Sequence, residues 1–167
     1  MEEVKKNKFL NVISKEILLP NNKAMNVEFI EHPGAVLIIP FLSDNEVVMI
    51  RQYRASIGEY LYELPAGTIE NGEDILDCAK REIIEEVNYK ANNFEYLGFI
   101  YPCPGYSTEK IFIFKATELE YSNLFSKDAE EIIENHVVTK DDVRNLLKNR
   151  LLIDSKSISA FCYCSWL

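Results

Sequence analysis

Glu82, Glu85 and Glu86 crowd into the run Arg81-Glu82-Ile83-Ile84-Glu85-Glu86-Val87, which closely follows the turn Pro65-Ala66-Gly67. At about 100° per residue, Glu86 falls roughly 40° and Glu85 roughly 60° from Glu82, on either side of it, so on a helix the three carboxylates can converge on one point. Like charges so placed destabilise a helix unless something positive neutralises them. All-oxygen ligand sets suit Mg²⁺ or Mn²⁺, and Mg²⁺ is ordinarily shared between a few carboxylates, water and substrate phosphates. The residue types and spacing therefore predict a divalent-cation site that works on a phosphate ester or anhydride.

Such a stripe needs a helix, and the flanking residues supply one. Ile75, Ala79, Ile83 and Val87 recur every four residues as its core face. Asn71 is the expected N-cap, with Glu73, Asp74 and Asp77 in the first turn, where the helix dipole favours negative charge. Asn88 stands where a left-handed C-cap belongs. Ahead of the helix, strands are expected over about 9–19, 24–31, 35–42 and 46–53, the last two joined as a hairpin through Ser43-Asp44-Asn45. The nearly continuous apolar run from Ala35 to Leu42 predicts burial on both faces. After the helix come strands over 94–101 and 110–117 around the loop PCPGYSTE, an acidic loop SKDAEE, and a strand over 132–139. Helices over 140–148, capped by Thr139, and about 155–164 close the chain. Strands interspersed with a few helices predict an α+β or α/β domain, helices sandwiching a sheet.

At 167 residues and 47% hydrophobic, the chain has the material for one core and too little for two ordinary domains, so a single domain over 1–167 is expected. A net charge of −9 with pI near 4.8 disfavours a nucleic acid polymer as partner, because that binding relies on clustered Lys and Arg. No apolar run approaches the roughly 20 residues of a membrane span. The charged start MEEVKKNKFL lacks the profile of a secretory signal, and a cytoplasmic protein is expected. Cys78, Cys103, Cys162 and Cys164 form no CxxC pair and have no His at ligand spacing, so they read as reduced thiols rather than a zinc site. His32, before Pro33-Gly34, and His136, in a strand, read as structural histidines.

Gly67, five residues, Glu73, seven residues, then Arg81-Glu82-Ile83-Ile84-Glu85-Glu86-Val87 resembles the Nudix box, a glycine and spaced glutamates leading to REUxEExGU. The box spans 67–89 and departs from the family pattern at Asn88, where the family has glycine; Asn can adopt the same left-handed conformation. EHPGAVLIIP, RQYR, YELPAGTIENGE, PCPGYSTE and LIDSKSI further resemble the ADP-ribose pyrophosphatase branch, which characteristically has a proline 16 residues past the box, here Pro104. The similarity runs from about residue 27 to residue 160. It implies a Nudix-type α/β/α sandwich with a mixed sheet, a catalytic core over 34–167, and N-terminal antiparallel strands over about 1–33. In that branch the usual assembly is a homodimer whose N-terminal strands help build the partner's adenosine pocket.

The same resemblance assigns roles. Glu82 and Glu86 are the principal ligands of Mg²⁺, or alternatively Mn²⁺, with Glu85 ligating or orienting a metal-bound water and the Ala66 carbonyl added. Arg81 is expected to pair with a box carboxylate, Glu73 being the candidate. Arg54 and Arg51 are candidate phosphate contacts, since guanidinium forks match phosphate oxygens, against the plainer reading of surface ion pairs. Glu63 touches ribose or metal, or is simply an edge-strand carboxylate. Glu109 binds ribose or orders its loop, and Tyr106 either lines the same pocket or packs. The general base is expected from SKDAEE, with Glu131 first, Glu130 second and Asp128 third. The implied reaction is Mg²⁺-dependent hydrolysis of ADP-ribose to AMP and ribose 5-phosphate. Hydrolysis of another nucleoside diphosphate sugar such as GDP-mannose is the alternative, and a non-catalytic nucleotide-binding domain the third.

Overall fold

The computed structural model describes residues 11–122 and 132–167. Its organising element is strand β3 (Ala35–Ser43), whose apolar run is buried on both faces, as the sequence predicts. Alternation divides its side chains: Ala35, Leu37, Ile39 and Phe41 enter one core, Val36 and Ile38 the other. Strand β4 (Glu46–Arg54) is antiparallel to β3 through the predicted hairpin and is divided the same way, Val47 and Met49 against Val48 and Ile50.

Around this pair the sheet is mixed. Strands β5 (Glu59–Glu63) and β9 (Ile133–Thr139) pair antiparallel with β4, and β6 (Ala66–Thr68) pairs antiparallel with β3. β8 (Ile111–Tyr121) runs parallel to β3, and β7 (Tyr89–Ile100) antiparallel to β8, giving a seven-stranded sheet. Helix α1 (Ile75–Val87) covers one face, contributing Cys78, Ala79, Ile83 and Val87 to its core. Helix α3 (Ser155–Tyr163) covers the other with Ala160 and Phe161, and Val143 of α2 (Lys140–Lys148) joins the same core. This is the expected α/β/α arrangement. Strands β1 (Asn11–Leu18) and β2 (Ala24–Glu31) form a separate antiparallel hairpin that leaves Val12, Leu18 and Met25 exposed. The hairpin is tied to the loop before β8, where Ile30 N–H donates to the Tyr106 carbonyl (2.8 Å) and Thr108 N–H to the Ile30 carbonyl (2.9 Å).

The predicted ends of α1 are half right. Asn88 takes the left-handed conformation at φ 60°, ψ 35°, and its N–H reaches the Ile84 carbonyl at 3.0 Å. The N-cap is Asp74 rather than Asn71: its side chain accepts from Leu76 N–H at 2.8 Å. Residues 70–73 are instead spent on a turn, closed by Glu73 N–H to the Glu70 carbonyl and shaped by Gly72 at φ +81°, so the helix starts three residues later. Thr139 caps α2 as expected, in a reciprocal box with Asp142. The glycine turn expected at 65–67 runs into the short strand β6, which, like β5, is not among the strands that the sequence pattern predicts.

Candidate active site

Four elements build the surroundings of the acidic stripe: α1 supplies the carboxylates, β6 the backbone beside them, and β4 and β5 a cationic partner, Arg54 held by Glu63. Glu82 and Glu86 are buried, at 8% and 4% exposed, while Glu85 is partly open. β6 can come this close only because Gly67 has no side chain; a Cβ there would fall inside the Glu82 carboxylate. Val36 faces Gly67 across the β3–β6 ladder, flanked by the bonds Ile38 N–H to the Pro65 carbonyl (2.9 Å) and Ile69 N–H to the Gly34 carbonyl (3.1 Å). The intervening residue Ala66 therefore turns its N–H and carbonyl away from β3, and its N–H donates to Glu86 Oε2 at 2.8 Å.

Like charges on adjacent turns are held by Arg81. Its Nε and Nη2 grip Glu73 at 2.9 and 3.0 Å, the predicted pair, while Nη1 lies 2.5 Å from Glu82 Oε1 and 2.9 Å from Glu85 Oε2. The hydrogen bonds to Glu73 raise the Arg81 pKa further above its ordinary value. In return the Arg81 bond holds the Glu73 carboxyl down at about 2. Burial pushes the neighbouring Cys78 thiol up, which makes it an inert core residue. The three stripe carboxylates do not converge on one point as the helical wheel suggests: Glu82 and Glu85 are drawn to Arg81, and Glu86 to Ala66. Among the described residues no three acidic, His or Cys side chains are gathered in a ready metal cluster. The donor set nevertheless fits a hard cation, because buried carboxylate oxygens and a backbone carbonyl turned to the same side are the ligands Mg²⁺ takes.

Gly67 and Glu73 each allow a test. Gly67→Ala is expected to push Glu82 aside, lowering kcat/KM about 10²-fold through misplacement of the ligand and stability by about 1–3 kcal/mol through overpacking. Unaltered kinetics would mean that Glu82 can move without consequence. Glu73, with its folded pKa below the unfolded one, contributes stability that is complete above about pH 4.5 and lost as pH falls toward about 2. Glu73→Gln is expected to flatten the drop of the unfolding midpoint over that window; a drop of wild-type size would remove Glu73 as its source.

Opposite the stripe, Arg54 of β4 and Glu63 of β5 share the Ile50 face of the sheet. Arg54 donates Nε to Glu63 Oε1 at 2.7 Å and Nη2 to Oε2 at 2.6 Å, a two-point fork. Glu63 is fully buried, and Lys156 Nζ of α3 also bonds its Oε2. Burial on its own would push the Glu63 carboxyl up, but Arg54 and Lys156 outweigh it and hold the group below the ordinary carboxylate range. Arg54 is raised, chiefly by its bond to Glu63, with the Glu86 charge adding to the effect. The plain reading of Glu63 as a solvated edge carboxylate is thus excluded, and Glu63, Arg54 and Glu86 are brought into one electrostatic neighbourhood.

Other candidates are placed elsewhere. Arg51 lies on the opposite face of β4 from Arg54, 3.5 Å from Glu134 and stacked 4.5 Å over the Tyr60 ring, the ion pair of the plainer reading. Pro104 and Tyr106 are exposed in the loop before β8, where with Lys15, Val27 and Phe29 of the hairpin they line a cavity of about 450 Å³. The Tyr106 hydroxyl donates to Cys103 Sγ at 3.0 Å. Glu109 is half-buried, its N–H donating to Ser107 Oγ at 3.1 Å. His32 Nδ1 accepts from Gly34 N–H at 3.0 Å, and His136 packs edge-on against Tyr62, both in structural settings. Asp128, Glu130 and Glu131 lie outside the described residues. Lys156 was missed: its partner Glu63 is 93 residues away, a separation no local pattern reports.

The chain is similar over nearly its whole length to known proteins. It is 32% identical over 165 residues to an ADP-ribose pyrophosphatase of Bacillus subtilis (strain 168), covering 97% of this chain and 88% of that one. It is 33% identical over 149 residues to a methanol dehydrogenase activator of Bacillus methanolicus, covering 89% and 80%. The crystal structure of an ADP compounds hydrolase superposes with a TM-score of 0.81 at 24% identity, covering 97% of this chain and 88% of that chain. A family profile described as NUDIX domain matches residues 31–161. With Gly67, Glu73, Arg81, Glu82, Glu85 and Glu86 in register on a strand, the turn after it and the helix that follows, the chain belongs to the NUDIX family.

Proposed function

We propose that the protein is a cytoplasmic, Mg²⁺-dependent hydrolase that splits the diphosphate of ADP-ribose into AMP and ribose 5-phosphate. The observation that carries this reading is the pair of buried carboxylates against β6, Glu82 filling the space a Cβ on Gly67 would take and Glu86 accepting from Ala66 N–H, with Glu86 close enough to Arg54 for their charges to interact. The names of its relatives supply the substrate class. Mn²⁺ is an admissible substitute, since the donors are the same hard oxygens.

A diphosphate resists hydrolysis because its anionic oxygens repel hydroxide. A divalent cation held by Glu82, Glu86 and the Ala66 carbonyl would neutralise that charge and acidify a water. The chain's own groups do the rest. Ala66 N–H fixes the Glu86 carboxylate, and Arg81 fixes Glu82 and Glu85. Arg54 offers the guanidinium edge not used by Glu63 to a phosphate oxygen. Glu131, or failing it Glu130, takes the proton of the attacking water. The exposed apolar residues of the hairpin fit a homodimer, in which β1 and β2 complete the partner's adenosine pocket beside Pro104 and the core over 34–167 does the chemistry. Val12, Leu18 and Met25 would otherwise stand bare in solvent.

The test is a substrate panel with Mg²⁺: ADP-ribose, GDP-mannose, NADH and diadenosine polyphosphates, with the released nucleotide quantified. ADP-ribose should be turned over fastest, to AMP. Faster release from GDP-mannose would overturn the substrate assignment, and no release from any of them the assignment as a hydrolase.

A further inference from the structure

Helix α3 begins against the site. Its N-cap Asp154 accepts from Ser157 N–H and Oγ at 3.0 and 2.6 Å, and Ser157 Oγ in turn accepts from Leu64 N–H at 2.7 Å. Leu64 directly precedes the Pro65-Ala66-Gly67 segment that abuts the carboxylates. Between these two anchors Lys156, 15% exposed, bonds Glu63 Oε2 and lies 3.0 Å from Asp154 Oδ2. A lysine this buried gives up most of its hydration, and its carboxylate partners replace it.

The fork to Glu63 occupies Nε and Nη2 of Arg54; Nη1 bonds nothing among the described residues. Two effects follow for that free edge. Lys156 holds Glu63 in the rotamer that orients the fork, so the direction of Nη1 depends on it. Lys156 also draws on the same carboxylate oxygen as Arg54 Nη2, so Glu63 cannot spend its whole charge on the guanidinium. An arginine only partly neutralised keeps field for an incoming anion.

We infer that Lys156 is a positioning residue for substrate binding: through Glu63 it sets the orientation and effective charge of Arg54 toward the phosphates. The inference rests on the reading of Arg54 as a phosphate contact. The Lys156 ammonium is engaged by Glu63 and Asp154, so an influence exerted through Glu63 must pass through Arg54 and vanish when Arg54 is replaced.

That dependence gives the experiment, a double-mutant cycle read as the Kd of ADP-ribose by calorimetry in EDTA, so that only the protein's groups bind. Lys156→Met is expected to weaken binding about 10-fold, Lys156→Gln, which keeps a donor without the charge, nearly as much, and Lys156→Arg to recover most of the loss. In an Arg54→Lys background the same substitutions at 156 should change Kd less than 2-fold. Circular dichroism establishes that each variant is folded, and the Gln and Arg variants carry the test if Met does not fold. Wild type that binds while Lys156→Met and Lys156→Gln bind equally well overturns the inference alone. A loss of the same size in the Arg54→Lys background overturns it too, because Lys156 would then act independently of Arg54. Wild type with no affinity for ADP-ribose in EDTA overturns the inference, because the protein's own groups would then hold no phosphate, whereas the substrate reading is decided separately by turnover in the Mg²⁺ panel.

Discussion

Glu86→Gln is expected to lower ADP-ribose turnover about 10³-fold, since a lost metal ligand removes several kcal/mol of charge stabilisation at 1.36 kcal/mol per tenfold in rate. The fold should survive. A glutamine keeps an oxygen to accept from Ala66 N–H, so the β6–α1 contact at 2.8 Å is retained. It also removes one of three neighbouring negative charges, so the unfolding midpoint in metal-free buffer should hold or rise slightly. The diagnostic combination is thus activity lost with stability kept, measured as kcat with Mg²⁺ beside thermal unfolding without it. Turnover within a factor of a few of wild type would remove Glu86 from the ligand set.

Glu63→Ala should produce the largest loss of stability of any single substitution in the site. The fully buried carboxylate is the common partner of Arg54 and Lys156, so its removal strands one mostly buried ammonium and one half-buried guanidinium. Breaking such a pair from one side costs about 3–5 kcal/mol, because the remaining charge is left desolvated. Asp154 still compensates Lys156, which favours the lower end, about 3 kcal/mol, or about 10 °C in the midpoint for a chain of this size. Denaturant unfolding would measure it. A loss below about 1 kcal/mol would mean that water reaches the cluster freely and that its geometry constrains little.

Much of this site is legible in the sequence because its strongest determinants are local. The stripe of glutamates, the Glu73–Arg81 pair and the left-handed Asn88 all lie within one helix and its approach, where spacing converts directly into direction. The two-sided burial of β3 is likewise carried by an uninterrupted apolar run. What spacing does not carry is competition between partners. A helical wheel converges Glu82, Glu85 and Glu86, but in the folded chain Arg81 and Ala66 N–H claim their oxygens, so the carboxylates part. Asn71 looks like a cap until the Glu70–Glu73 turn uses up its neighbourhood and leaves the role to Asp74. β5 and β6, at five and three residues, are too short for any periodicity to register. Arg54 and Glu63 each read as a separate ligand candidate, since nothing in a linear pattern says that they bond each other, or that Lys156 joins them from the last helix.

The partition of β3 has a consequence for how this gene can vary. Ala35, Leu37, Ile39 and Phe41 fill one hydrophobic compartment and Val36 and Ile38 the other, and Val36 sits squarely across from Gly67. Deleting or inserting a single residue there would swap the contents of the two compartments at a stroke and slide the wrong residue under the acidic helix. Drift in this stretch is therefore confined to exchanges of one apolar side chain for another, while length changes are relegated to the connections outside it.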